Sequence, residues 1–254
     1  MKKVSIHKRN EFVRGADGYS LLAKRAMNAI YWAYQKHGLY SHSSIPISFS
    51  TLRQLMHLET TNAYVDLLKE ALLELKRPIE LNNFYHPVME VTYRWYATSF
   101  INDVGFRKSD NGDWVADIEV PNLIKYIMQQ PGNFTMLELV PYLNRFRTKY
   151  AMKLYEYLKS FSGYGYLEVS QAHMMRLLGL SETSKYRYMS DLTSLLDRQL
   201  AEIASKSDLS GVRLVKSKSL RRSRLFRIVL NPSSSRKVAQ KDAQEALEGI
   251  INRF

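Results

Sequence analysis

The sequence predicts an α+β protein made of two tandem winged-helix domains related by internal duplication. Three observations predict it. Apolar positions run through helical, strand, helical, helical and hairpin spacing in that order, and the chain passes through the order twice. At an offset of 122 residues the two passes agree in kind: Ile45 falls on Leu167, Ile47 on Val169, Ser48 on Ser170, Leu52 on Met174, Leu55 on Leu177 and Leu58 on Leu180. A chain of 254 residues is also long for one core and comfortable for two.

Residues 1–18 are polar and basic, with Gly15 and Gly18 discouraging helix, and are expected to form a flexible arm. The first domain then covers 19–120. Ser20 caps a helix reaching Lys36, whose inner face carries Leu22, Ala26, Ala29, Ile30, Ala33 and Tyr34, and Gly38 stops it. Ile45–Phe49 alternates as a strand, and Ser50 or Thr51 caps a helix through Leu58. After the turn Glu59–Asn62, the helix Ala63–Lys76 presents Tyr64, Leu68, Leu72 and Leu75 inward until Pro78 ends it. Ile79–Phe84 and Val88–Phe100 have hairpin composition, and Trp114–Val120 reads as a further strand after Asn111-Gly112.

The second domain is expected over 121–230. Asn122–Met128 reads as helix, Pro131-Gly132 breaks it, and Thr135–Leu143 forms another helix. In the scaffold helix Asn144–Phe161, residues Tyr150, Leu154, Tyr157, Leu158 and Phe161 share a face, leaving Lys149, Lys153, Glu156 and Lys159 on the others. Tyr166–Val169 is a strand, Ser170 caps Gln171–Leu178, and Gly179 closes that helix. Ser181–Ser184 turns into a long helix, Lys185–Ala204, lined inward by Met189, Leu192, Leu196, Leu200 and Ile203. Leu214–Ser217 and Leu225–Leu230 make a hairpin with a basic tip, and the tail 231–254 ends as a weakly amphipathic helix.

Lys and Arg outnumber Asp and Glu by 37 to 24, a net charge of +13, which favours a polyanionic partner. The absence of cysteine excludes disulfide frameworks, thiolate nucleophiles and cysteine-based metal sites. No apolar run approaches the roughly twenty residues that span a bilayer, and Met1–Phe12 lacks the apolar core of a secretion signal. A cytoplasmic protein with no membrane contact is expected.

In a winged helix-turn-helix, the last helix enters the major groove of double-stranded DNA and the flanking hairpin touches the backbone. That geometry selects Thr183, Ser184, Lys185, Tyr186, Arg187 and Tyr188 in the second domain: hydroxyls for phosphates, Lys185 and Arg187 for guanine or phosphate oxygens, tyrosines for thymine methyls or backbone. The corresponding turn of the first domain, Thr60, Thr61, Asn62, Ala63 and Tyr64, carries no charge. The segment Val212–Arg227 holds Arg213, Lys216, Lys218, Arg221, Arg222, Arg224 and Arg227 with no acidic residue, so it should neutralise phosphates and make the second domain the stronger DNA binder. Lys149 and Lys153 extend this set from the outer side of the scaffold helix.

No catalytic site assembles. The chain lacks a GxxxxGK[ST] loop, and its six histidines never pair as His-x-His or HExxH, so neither cofactor nor metal is expected. Asp110, Asp113, Asp117 and Glu138 read as solvated acids.

The run Lys149-Tyr150-Ala151-Met152-Lys153-Leu154-Tyr155-Glu156-Tyr157-Leu158-Lys159 resembles the K-Y-x-x-[KR]-L-Y-E-x-L-[KR] run of iteron-binding plasmid replication initiators of the Rep_3 type. Gly132–Thr135 upstream and Leu177–Leu180 downstream are similarly placed in that family. The resemblance covers 19–230 and is strongest over 120–205. It implies two winged-helix domains, monomer binding to directly repeated origin sites, and dimerisation through the first domain to repress the protein's own promoter. It further implies help in opening the origin and recruitment of the host initiator and replicative helicase, without catalysis. Two alternatives stay open: a winged-helix transcriptional repressor, and a DNA-nicking rolling-circle initiator.

Overall fold

The computed structural model describes residues 4–14, 18–38, 43–58, 64–86, 89–129, 134–140, 143–215, 220 and 222–230. They divide into two compact units, one within Met1–Phe12 and Asp17–Lys149, the other within Val13–Ala16 and Tyr150–Phe254. The division falls at Lys149, later than the expected boundary at Val120, because the segment after Val120 packs into the first unit.

The first unit contains two strands that the sequence reading did not anticipate. Strand β1 (Val4–Arg9) pairs antiparallel with β7 (Phe134–Val140), with Ile6 opposite Leu137 and Lys8 opposite Thr135. The expected flexible arm is therefore ordered from Val4, continuing into helix α1 (Asn10–Arg14), and the expected helix Thr135–Leu143 is a strand followed by a 3-10 turn, Leu143–Arg145. The cause is period-two burial: Ile6, Lys8, Thr135, Leu137 and Leu139 are buried while Phe134 and Met136 are exposed. The Lys8 ammonium lies over the Tyr31 ring.

Helix α2 (Leu21–His37) follows expectation, with Ser20 Oγ accepting from the Ala23 N–H at 3.2 Å and Gly38 closing it at φ +60°. Its Asn28 donates to Asn144 Oδ1 at 3.1 Å, and Asn144 donates to the Leu55 carbonyl at 2.6 Å, a buried polar chain that ties α2 to helix α3 (Phe49–Leu55). Strand β2 (Ile45–Ser48) leads directly into α3, and the cap is Ser48 rather than Ser50 or Thr51. Helix α4 (Tyr64–Leu75) buries Leu68, Ala71, Leu72 and Leu75.

Two hairpins follow. Strands β3 (Ile79–His86) and β4 (Val91–Thr98) form a two-stranded sheet of their own. Strands β5 (Asp103–Lys108) and β6 (Trp114–Glu119) instead join β2 in a three-stranded sheet of order β2-β6-β5. The wing of the first unit is thus β5–β6, turned at Gly112 with φ +83°. Helix α5 (Asn122–Gln129) completes the unit.

From Tyr150 onward the scaffold helix α6 (Lys149–Lys159) belongs to the second unit, and every residue in it from Ala151 to Leu158 is buried. Strand β8 (Tyr166–Ser170), helix α7 (Gln171–Leu177) and helix α8 (Met189–Lys206) occur in the expected order. Strands β9 (Arg213–Val215) and β10 (Leu225–Val229) make the hairpin, and the sheet order is β8-β10-β9. Residues Leu192, Leu195, Leu196, Leu200 and Ile203 of α8 form its core stripe. Arg14 belongs to this unit, donating to Ser160 Oγ at 3.1 Å with its guanidinium 4.1 Å from the Phe161 ring centre. The expected tail helix after Pro232 lies outside the described residues.

Candidate nucleic-acid interface

In the second unit a helix-turn-helix is built from α7 and α8. Ser170 caps α7 by accepting the His173 N–H at 3.2 Å, and Gly179 turns the chain at φ +61°. Ser184 donates its hydroxyl to the Ser181 carbonyl at 2.6 Å, and Ser181 and Thr183 share a hydroxyl contact at 2.7 Å. These hydroxyls first shape the turn; their remaining lone pairs and the exposed edge face solvent.

The expected long helix from Lys185 is two pieces. Lys185–Arg187 is a 3-10 turn, Tyr188 is extended at φ −85° and ψ 133°, and α8 starts only at Met189. The break detaches the candidate contact residues from the helix axis. Lys185 and Arg187 are exposed, Tyr186 is half-buried, and Tyr188 is 54% exposed. Arg187 donates to the Tyr188 hydroxyl at 2.7 Å with its guanidinium 4.8 Å from the ring centre, and the Lys185 ammonium lies 5.3 Å from the Tyr186 ring centre. Each cation is thus steadied by an aromatic neighbour.

On the wing, Arg213, Arg222 and Arg224 are exposed, and among the described residues no carboxylate pairs with them. Arg227 differs from the reading of a wing without acids. Its Nε donates to Glu168 Oε1 at 2.6 Å and its guanidinium lies over the Tyr166 ring, because β10 and β8 place Arg227 opposite Glu168. Lys216, Lys218 and Arg221 lie outside the described residues.

The scaffold helix corrects another expectation. Lys153 is 2% exposed and Glu156 equally so, leaving no outer face there from which a phosphate could be reached. Lys149, at the start of the helix, is half-buried.

In the first unit Thr60, Thr61 and Asn62 lie outside the described residues. Tyr64 is half-buried at the start of α4, with the Arg53 guanidinium 4.6 Å from its ring centre. Phe49 meets Tyr64 and Phe106 edge-on and lies nearly parallel to Trp114, which is 47% exposed. Phe49, Tyr64 and Trp114 line a cleft of about 370 Å³ between α3 and the wing. The sequence reading missed Trp114 and Phe49 here, since only the β5–β6 pairing brings the wing rings to α3. On this wing Arg107 binds Asp117 through two of its nitrogens at 2.5 and 3.2 Å, Asp103 accepts from Lys76 beyond the end of α4 at 3.0 Å, and the exposed Lys108 ammonium lies 5.9 Å from the Trp114 ring centre. The carboxylate pushes the Arg107 pKa up.

Among the described residues no group of three or more His, Asp or Glu could hold a metal ion, and no helix is long and apolar enough to cross a membrane.

Comparison with solved structures finds domains 2 and 3 of RctB in a selenomethionine crystal form at a TM-score of 0.50 and 11% identity. The alignment covers 85% of this chain and 83% of that one. A second crystal structure of RctB domains 2–3 aligns at a TM-score of 0.45 and 10% identity, over 82% and 81% of the two chains. The first likeness shows a shared fold. No curated protein sequence matches the chain. The family model described as "Initiator Replication protein, WH1" matches residues 5–159, taking in the half where the sequence resemblance is weaker as well as the α6 run. With more than half of its length matched, the chain belongs to the initiator replication protein family.

Proposed function

We propose that this chain initiates replication by binding directly repeated double-stranded DNA at its origin, and that the second unit is the principal reader. The observation that carries this reading is the pairing, within one unit, of an exposed turn with a wing. The turn bears Lys185 and Arg187, and the wing bears Arg213, Arg222 and Arg224 without carboxylate partners among the described residues. Tyr186, Tyr188 and Ser184 supply backbone or thymine-methyl contacts beside them, with Lys216, Lys218 and Arg221 as further phosphate ligands. Lys149, half-buried at the start of α6, is a further phosphate ligand in this reading, and Lys153 is withdrawn from that role by burial.

The first unit has the weaker DNA surface, through Thr60, Thr61, Asn62 and Tyr64, and serves dimerisation. The pairing of its wing Arg107 with Asp117 supports that division of labour. Autorepression by the dimer, and recruitment of a host initiator and replicative helicase by the DNA-bound form, are part of this proposal, and membership of the initiator family supports them. No catalytic step is assigned, and the site of action is the cytoplasm.

Descent of the two units from one duplicated ancestor is supported by their matching local geometry. Ser48 and Ser170 each accept an N–H three residues on at 3.2 Å. His57 and Gly179 each turn at positive φ, and Leu58 and Leu180 each donate back five residues at 2.9 Å.

Footprinting of the protein on the DNA flanking its gene tests the function. Protection of direct repeats about two helical turns apart, on a replicon that is lost when the gene is deleted, is the expected result. A lone inverted repeat at a promoter, with the replicon maintained in the deletion strain, would replace initiation by plain repression.

A further inference from the structure

The recognition turn and the wing of the second unit are far apart in sequence, yet one residue bonds to both. Gln171, the first residue of α7, is 7% exposed. Its main-chain N–H donates to the Arg224 carbonyl at 2.9 Å, and its side-chain Nε2 donates to the Arg187 carbonyl at 2.7 Å. Both acceptors belong to arginines assigned above to DNA contact.

Each acceptor sits in backbone that needs an anchor. Arg224 has φ +53°, a left-handed conformation that side-chain-bearing residues rarely adopt unless held there. Arg187 closes a three-residue 3-10 turn whose own bonds are long, 3.2 Å from the Arg187 N–H to Ser184 and 3.3 Å from the Tyr188 N–H to Lys185. The shorter Gln171 bond is the firmest hydrogen bond that this stretch of main chain accepts or donates. The main-chain half of the arrangement uses a helix-start N–H that α7 leaves without an internal partner. The side-chain half depends on the length and the donor of glutamine.

The position 122 residues earlier is Phe49, the first residue of α3. Its ring meets Tyr64 at the start of α4 and Phe106 and Trp114 on the wing strands. In each unit, then, the residue after the cap serine joins turn to wing, by ring contacts in the first and by hydrogen bonds in the second.

We propose that Gln171 is a positioning residue for sequence discrimination: touching no DNA, it fixes Arg187 relative to Arg224, so that the turn reads bases in register with the wing on phosphate. The proposal rests on the assignment of turn and wing to DNA under the function proposed above. Removing the side-chain donor leaves the wing arginines in place, so binding to random duplex and its salt dependence stay as they are. Discrimination falls because Arg187 is no longer held where the base edge lies.

The test uses the full chain with the direct repeat recovered by footprinting and a random duplex of equal length. Gln171→Met keeps length and volume without a donor, and Gln171→Asn keeps the amide one methylene short. Both are expected to lower the specific-to-random affinity ratio by about 5- to 10-fold, the lower part of what one bidentate base contact supplies, because Arg187 keeps its side chain and loses only its anchor. Salt slope and Tm should remain near those of the parent. In an Arg187→Ala background Gln171→Met should add nothing, since it acts through Arg187. If Arg187→Ala lowers the ratio and the Gln171 variants do not, the positioning role is overturned while the DNA assignment stands. A fall in specific and random affinity together, tracking a lower Tm, would make Gln171 merely structural and overturn the role as well. If Arg187→Ala itself leaves the ratio unchanged, the assignment of the turn fails, and the proposal with it.

Discussion

Arg187 and Tyr188 are joined twice, by a 2.7 Å hydrogen bond from the guanidinium to the phenol and by the stacking of the same guanidinium 4.8 Å from the ring centre. The pair stands in an extended break before α8, so the guanidinium projects from a turn rather than along a helix. Replacing Arg187 by Ala is expected to cost about 1–3 kcal/mol at the cognate site, the range for one bidentate base contact. Tyr188→Phe, which keeps the ring and loses the hydrogen bond, should cost less than half as much. Competition binding against random duplex measures both. Equal losses on cognate and random DNA would move Arg187 to the phosphate-contacting group.

The wing separates two kinds of arginine. Replacing Arg213, Arg222 and Arg224 together by Ala should weaken binding to every sequence and flatten the salt dependence by about 0.9 in log–log slope for each phosphate contact removed. Arg227→Ala should leave the slope unaltered, because Glu168 already neutralises that guanidinium. Titrations across a range of salt concentrations decide this, and an unchanged slope in the triple variant would take the wing off the phosphates.

Ser170 and Gly179 bracket α7, and their loss should appear as stability. Ser170→Ala removes the acceptor of the His173 N–H and is expected to cost about 1 kcal/mol. Gly179→Ala forces a side chain into φ +61° at a cost of about 1 kcal/mol. Urea unfolding of the two variants reads these values; a neutral Gly179→Ala would show that the turn relaxes freely.

Alkaline pH should destabilise the first unit through Tyr34. Burial, the largest cause, pushes this phenol up to about 12, while a backbone hydrogen bond from Val120 opposes the shift and Glu119 adds to it. The unfolded phenol loses its proton near its ordinary value of about 10 and the folded one does not. Above that pH the folded state therefore binds more protons, and stability falls by up to about 1.4 kcal/mol per pH unit until the folded pKa is reached. Tyr157 in the second unit is shifted in the same direction by burial, with Arg14 opposing. Tyr34→Phe should remove the Tyr34 share of the decline in urea unfolding between pH 10 and 12. Identical pH profiles for Tyr34→Phe and the parent chain would rule that share out.

What the sequence determined by itself is the part of the fold that depends on neighbours a few residues apart. The caps Ser20 and Ser170, the stops Gly38 and Gly179, and the stripes of α4 and α8 are local periodic signals, because helix hydrogen bonds and helix faces repeat every three to four residues. The α6 run was legible for the same reason. The tertiary structure decided what depends on distant partners. Val4–Arg9 and Phe134–Val140 became strands because each supplies the other's ladder across more than 120 residues, overriding the helical spacing of Thr135–Leu143. The β5–β6 pairing, not the more strand-like β3–β4 hairpin, built the wing of the first unit and carried Trp114 to Phe49. Burial of Lys153, the Arg227–Glu168 pair and the two bonds of Gln171 likewise required the packed chain. Composition located the charge; only long-range pairing decided that Arg227 has a carboxylate partner while, among the described residues, no carboxylate pairs with Arg213, Arg222 or Arg224.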